Sequence, residues 1–225
     1  MKLATYLTLA VVSVASNCGA ALVSYWNFNG LSIATASAPG VGGVPASIAA
    51  DQGAGLLSLS AWAGTVDDFS GSASNAIAPD VAEESLSLTA GGTAAPFPGN
   101  GTYVELAVSL TGMVDPVITF ATRGTSTGFN TGTWSWSTDG LSFTSVTGNT
   151  ATTSTTFALA TLDLSAVDAI DNSPSVTLRY TLSGASSSSG NNRIDNLQIN
   201  ASAVPEPSVP AALGLGYLLL ARRRR

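Results

Sequence analysis

Trp134 and Trp136 alternate with Ser135 and Ser137, which places both indoles on the same side of a strand. Exposed, the pair would form a flat platform for stacking on sugar rings. Turned inward, it would supply core area, the usual role of large aromatics, and Tyr25, Trp26 and Trp62 carry that same expectation. Two acidic pairs, Asp67-Asp68 and Glu83-Glu84, contain the residue type that a glycosidase uses as acid and base. Neighbouring strand residues point to opposite faces, so each pair offers at most one catalytic group and reads better as solvated charge. Asn100-Gly101-Thr102 and Asn200-Ala201-Ser202 match glycosylation sequons and mark expected surface sites.

The chain has 225 residues and no histidine, which excludes Ser-His-Asp and Cys-His catalysis and His-ligated zinc, copper or iron. The single cysteine, Cys18, lies where a signal peptide would be cut. Between Ala21 and Val204 three basic residues, Arg123, Arg179 and Arg193, face thirteen acidic ones, a net charge near −10. Such a surface repels phosphate backbones, so nucleic acid is not an expected partner.

Positioning these side chains falls to strands. The body is rich in Ser, Thr, Gly and Ala and poor in the residues that favour exposed helix. Val104, Leu106, Val108 and Leu110 alternate with polar or small neighbours, as do Val176, Leu178, Tyr180 and Leu182, the signature of half-buried antiparallel strands. Further strands are expected at 22–28, 56–62, 85–89, 117–123, 133–137, 141–146, 155–164 and 193–200. Ten short strands with Gly, Asn and Ser turns predict an all-β fold, an antiparallel β-sandwich of jelly-roll type. Asp139-Gly140 predicts a tight hairpin turn between WSWS and LSF, and residues 34–47 and 185–192 read as loops.

Both ends read as addresses. Residues 1–21 combine Lys2, an apolar run from Leu3 to Val14 and small residues from Cys18 to Ala21, the layout of a secretory signal peptide. Cys18 raises a lipoprotein alternative, which Ala15-Ser16-Asn17 fits poorly. At the other end, Val209 to Ala221 would rise only ~20 Å as a helix, short of the ~30 Å hydrocarbon core of a bilayer. Arg222, Arg223, Arg224 and Arg225 behind it would stay cytoplasmic by the positive-inside rule. Val204-Pro205-Glu206-Pro207-Ser208, the apolar run and the arginine cluster resemble the PEP-CTERM sorting signal of exported bacterial proteins. That resemblance implies an exosortase-type transpeptidase as partner, acting near Pro205-Glu206-Pro207, and transient anchoring in the inner membrane by a short C-terminal transmembrane helix.

A second resemblance covers residues 117–200. WSWSTDGLSF and RYTLSGASSSSGNNRIDNLQI are similar to the closing half of β-sandwich domains related to galactose-binding-like jelly rolls. It implies that Asp195 helps bind a structural calcium, with Asn27 or Asn29 supplying oxygen from the first strand. The competing reading pairs Asp195 with Arg193 or a backbone amide. Ser137 to Phe143 resembles the Asp-box turn of sialidase-type propellers, but one copy makes no propeller and reads as a structural hairpin.

The expected organisation is a signal peptide (1–21), a β-sandwich domain (22–203) and a sorting signal (204–225). The leading functional reading is a non-catalytic protein exported to the cell envelope or extracellular matrix. The alternative is a carbohydrate-binding module for extracellular polysaccharide, using Trp134, Trp136 or a loop carboxylate with calcium. A carboxylate-based hydrolase or lyase stands third.

Overall fold

The computed structural model describes residues 19–204, and both expected terminal helices, signal and sorting, lie outside them. Thirteen strands form, in chain order β1 (Ala20–Trp26), β2 (Ser47–Ala49), β3 (Gln52–Gly53), β4 (Gly55–Ser58), β5 (Thr65–Ser70), β6 (Glu84–Thr89) and β7 (Thr102–Val108). They continue as β8 (Met113–Gly124), β9 (Thr131–Ser137), β10 (Thr144–Val146), β11 (Ala158–Asp163), β12 (Val176–Ser183) and β13 (Asn191–Ala203). A 3-10 turn at Asp168–Ile170 completes the described elements, and none of them is a helix long and apolar enough to cross a membrane.

Two antiparallel sheets pack face to face. One runs β10-β9-β12-β7-β4-β2. The other runs β11-β8-β13 and then divides, because the start of β13 pairs with β6 and its later part with β1. β5 flanks β6, and β3 flanks β1. The seam of this division falls at Asp195 and Asn196, where Asn196 adopts a φ of 49° and the register against β8 slips. A residue held in the left-handed region forms the bulge that re-aims the strand from one partner to the other.

The apolar residues of the alternating strands meet between the sheets. Val104, Leu106, Leu178, Tyr180 and Leu182 are all at least 97% buried, as the period-two pattern requires. Tyr25, Trp26 and Trp62 are core residues, as expected. Trp62 meets Phe129 edge-on with ring centroids 5.4 Å apart, the arrangement favoured by the ring quadrupoles.

Three strands were not expected: β2, β3 and β5. β5 carries Asp67-Asp68, and its two carboxylates diverge as a strand demands. Asp68 Oδ2 accepts the Ile33 amide, while Asp67 lies opposite Ser87. Within the segment read as a loop, Ser37 exchanges two backbone hydrogen bonds with Val66, which ties residues 34–47 to the edge of β5.

The predicted two-residue turn is corrected. Pairing stops at Trp136 with Thr144, so a longer loop spans the hairpin and Leu141 to Phe143 lie outside the strand. Gly140 does take a positive φ of 71°. The loop is closed instead by Asp139, whose Oδ1 accepts the Leu141 and Ser142 amides at 2.8 Å and the Ser137 hydroxyl. Those donors hold the Asp139 carboxyl down at about 2. At the base of the loop the Arg179 guanidinium lies between the rings of Phe143, at 3.5 Å, and Tyr103, at 3.9 Å, and donates twice to Glu105 Oε1. Arg179→Ala removes both stacks and the ion pair, so denaturant unfolding should show a loss of about 1 to 2 kcal/mol.

Candidate binding cleft and loop latch

The two indoles of WSW share a face of β9 and part company in burial. Trp134 lies opposite Tyr180 and stacks on it at 4.6 Å with the planes 19° apart, and its Nε1–H donates to Thr150 Oγ1 at 2.9 Å. With 3% of its surface exposed it is a core residue, which corrects its expected place in a sugar-stacking platform. A ring packed against Tyr180 on one side and Phe120 on another has no face left for a ligand. Trp136 lies one row along, paired with Leu178 and with Thr144 of the short edge strand β10, and it remains partly exposed.

Trp136 lines an open cleft of about 500 Å³ where the edges of the two sheets approach. β10 contributes Thr144 and Val146 to it, the last residue of β11, at the edge of the other sheet, contributes Asp163, and the segment after it contributes Val167 and Asp168. The Ser165 amide donates to Asp163 Oδ1 at 2.9 Å, and Ser165 holds that carboxyl below the usual carboxylate range. An indole flank beside ionised oxygens matches the two surfaces of a sugar, its apolar ring face and its hydroxyl edge. The period-two pattern predicted that Trp136 shares a face with Trp134. Asp163 and Asp168 carried no sequence signal, because they reach the cleft only through strand order.

Asp195 sits at the seam in β13, 1% exposed, beneath residues 71–80. Its Oδ2 accepts the Ser72 amide at 2.6 Å and its Oδ1 accepts the Asn196 amide at 2.9 Å. Asn196 donates from Nδ2 to the carbonyls of Ser72 and Ser74 and accepts the Tyr25 hydroxyl at 2.7 Å. Gln198 donates to the Asn75 carbonyl, and Asn75 Nδ2 returns a bond to the Asn196 carbonyl. These side chains latch the loop onto the outer face of the sheet. Burial without a cationic partner pushes the Asp195 carboxyl up to about 7, and burial likewise raises the Tyr25 hydroxyl well above the ordinary phenol value.

The latch bears on the calcium expectation. Both Asp195 oxygens are engaged by amides, Asn27 Oδ1 accepts the Asn29 amide, and Asn29 Oδ1 accepts the Glu84 amide. Among the described residues no group of three or more acidic, histidine or cysteine side chains gathers at a point. A hard cation takes six or more oxygens, whereas Asp195, Asn27 and Asn29 each accept from a backbone amide and no acidic cluster among the described residues supplements them. Of the two readings for Asp195, the backbone-amide one describes its bonds. Pro205, Glu206, Pro207 and Arg222 to Arg225 lie outside the described residues.

No family model matches the chain, and no curated protein matches it either. Several solved structures align with the chain at low identity. A tandem of two family 22 carbohydrate-binding modules from a Paenibacillus barcinonensis xylanase aligns at 13% identity with a TM-score of 0.41, covering 87% of this chain and 49% of that one. The third cleaved-adhesin domain of Lys-gingipain from Porphyromonas gingivalis aligns at 12% identity with a TM-score of 0.40, covering 81% and 99%. A family 61 carbohydrate-binding module bound to β-1,4-galactotriose aligns at 14% identity with a TM-score of 0.36, covering 60% and 80%.

Proposed function

We propose that this is an exported, non-catalytic β-sandwich protein of jelly-roll type that binds extracellular polysaccharide through the Trp136 cleft. The observation that carries the binding reading is the partly exposed indole of Trp136 beside Asp163 and Asp168 in an open cleft. The terminal sequences support export to the cell envelope or matrix, with residues 204–225 read by an exosortase-type transpeptidase after transient insertion in the inner membrane.

The surroundings of Asp163 and Asp195 support binding rather than hydrolysis. A glycosidase needs a carboxyl that still carries its proton near neutral pH, and Asp163 is shifted the other way. Asp195, which is raised to about 7, lies sealed beneath its loop, where no glycosidic oxygen reaches it.

Affinity electrophoresis against a panel of neutral polysaccharides tests the cleft. Trp136→Ala should weaken retention by about tenfold or more, the scale of one lost aromatic stacking contact. No retention on any polymer, or equal retention of the variant, would sink the binding reading. For the address, deletion of residues 204–225 should change where the protein accumulates and how it is processed, and an unchanged location would count against it.

A further inference from the structure

Of the three arginines in the described body, Arg179 is satisfied by Glu105 and two aromatic rings, whereas the other two are not. Arg193 of β13 and Arg123 of β8 lie directly opposite one another in the ladder, so their side chains leave the same face of the sheet. The row continues through Ser87 of β6 to Asp67 of β5. Like charges directly opposite one another destabilise a sheet, and a body near −10 had many carboxylates with which to pair them. Yet among the described residues neither guanidinium donates a hydrogen bond or forms an ion pair, and the Nε atoms of both are buried without a partner. Ser87 Oγ, between Asp67 and Arg193 in the row, is also buried and unpartnered.

Two rings hold the pair from its flanks. The Arg193 guanidinium stacks 4.1 Å from the centre of Phe69, a ring 39% exposed, and that of Arg123 lies 5.7 Å from Phe157. The ring contacts restrain the guanidinium groups and leave their terminal nitrogens able to act as a fork. Burial and the charge of Arg123 lower the pKa of Arg193, and Asp67 opposes them only in part. Phe69, which carries the Arg193 guanidinium, and Asp67 also border a cleft of about 370 Å³, which gives room for a bulky substituent.

We infer that Arg123 and Arg193 together bind one anionic group of an acidic polysaccharide, a uronate carboxylate or a sulfate half-ester, with Phe69 beside the sugar that bears it. Guanidinium forks suit the paired oxygens that a planar carboxylate or a tetrahedral sulfate presents. The acidic body repels a densely charged polymer, so the site selects chains whose anionic groups are widely spaced. This inference stands apart from the Trp136 cleft: the pair lies on the face of β8 and β13, whereas the cleft lies between β10 and the far end of β11.

Affinity electrophoresis in gels containing gellan, whose glucuronates are widely spaced, and carboxyl-reduced gellan gives the test, because both polymers share the same neutral sugars. The protein should be retained more strongly by native gellan, and the double variant Arg123→Gln/Arg193→Gln should lose that preference, weakening by about tenfold or more. Arg193→Lys keeps the charge without the fork and should fall between. Trp136→Ala should weaken retention by the reduced polymer and keep the preference for native gellan, which separates failure of this site from failure of the cleft. Lightly sulfated against plain dextran distinguishes the source of the anion. A preference for the sulfated polymer that the double variant abolishes assigns a half-ester, and one confined to gellan assigns a uronate. Relief of like-charge repulsion offsets the loss of the two ring contacts, so the double variant should melt close to wild type, and a thermal melt checks that lost binding does not reflect unfolding. Equal retention by native and reduced polymers, or a double variant that keeps the preference, would overturn the inference.

Discussion

Trp134→Ala is expected to lower the free energy of unfolding by about 3 to 5 kcal/mol, the range for deleting a large aromatic from a packed core. Trp134 stacks on Tyr180 at 4.6 Å, tilts against Phe120 at 6.0 Å and donates to Thr150 Oγ1, so its removal opens a cavity and orphans a hydroxyl acceptor. Tyr180 and Phe120 also face each other edge-on at 6.0 Å, and both lose a partner. In a domain of this size such a loss should lower the melting temperature by roughly 10 °C. Trp136→Ala, two residues away on the same face, should cost far less because part of that ring already meets solvent. Thermal melts followed by circular dichroism separate the two, and equal losses would show that Trp136 is as much a core residue as Trp134.

The second large effect concerns pH. The Asp195 carboxyl is raised from 3.8 in an open chain to about 7 in the folded protein, chiefly by burial. Between those values the folded state keeps a proton that the unfolded state has released, so stability is greatest at the acid end and falls as pH rises. Above about 7 both states are ionised and the contribution is flat. Each pH unit inside the window corresponds to about 1.4 kcal/mol at most, so a few kcal/mol are at stake between its ends. Urea unfolding at pH 5 and pH 8 reads this directly when wild type is compared with Asp195→Asn, because other titrating groups cancel in the difference. The variant should show the flatter profile; parallel profiles would mean that Asp195 titrates normally. Gly71 offers a check on the same latch without changing charge. A Cβ there would strike Asp195 Oδ2 and the Glu84 carbonyl, so Gly71→Ala should displace residues 71–80 and cost about 1 to 3 kcal/mol.

The correspondence between sequence and site is uneven for a physical reason. Alternation located β7 and β12 closely, because each buries one face and leaves the other less buried along its length. It missed β5, where Val66 is buried while Asp67, Asp68, Phe69 and Ser70 break the pattern, and it missed β3, which has only two residues. Asp139-Gly140 announced a turn correctly, yet its length depended on which residues of β9 and β10 pair, and local preference does not set that.

From the sequence alone come the all-β character of the body, its acidic charge, the absence of histidine chemistry, the shared face of Trp134 and Trp136 and the two terminal addresses proposed for export. All of these depend on residue type or on spacings within one strand, which the chain carries locally. Tertiary structure decided the rest. Trp134 is core because β12 brings Tyr180 against it, and Trp136 lines a cleft because β10 is a short edge strand. Asp195 is buried because a loop more than a hundred residues earlier in the chain closes over it. Arg123 and Arg193 face one another because β8 and β13, far apart in sequence, become neighbours in register. Burial and pairing across strands arise only when distant segments meet, so side chains of the same type acquire different surroundings and different chemistry.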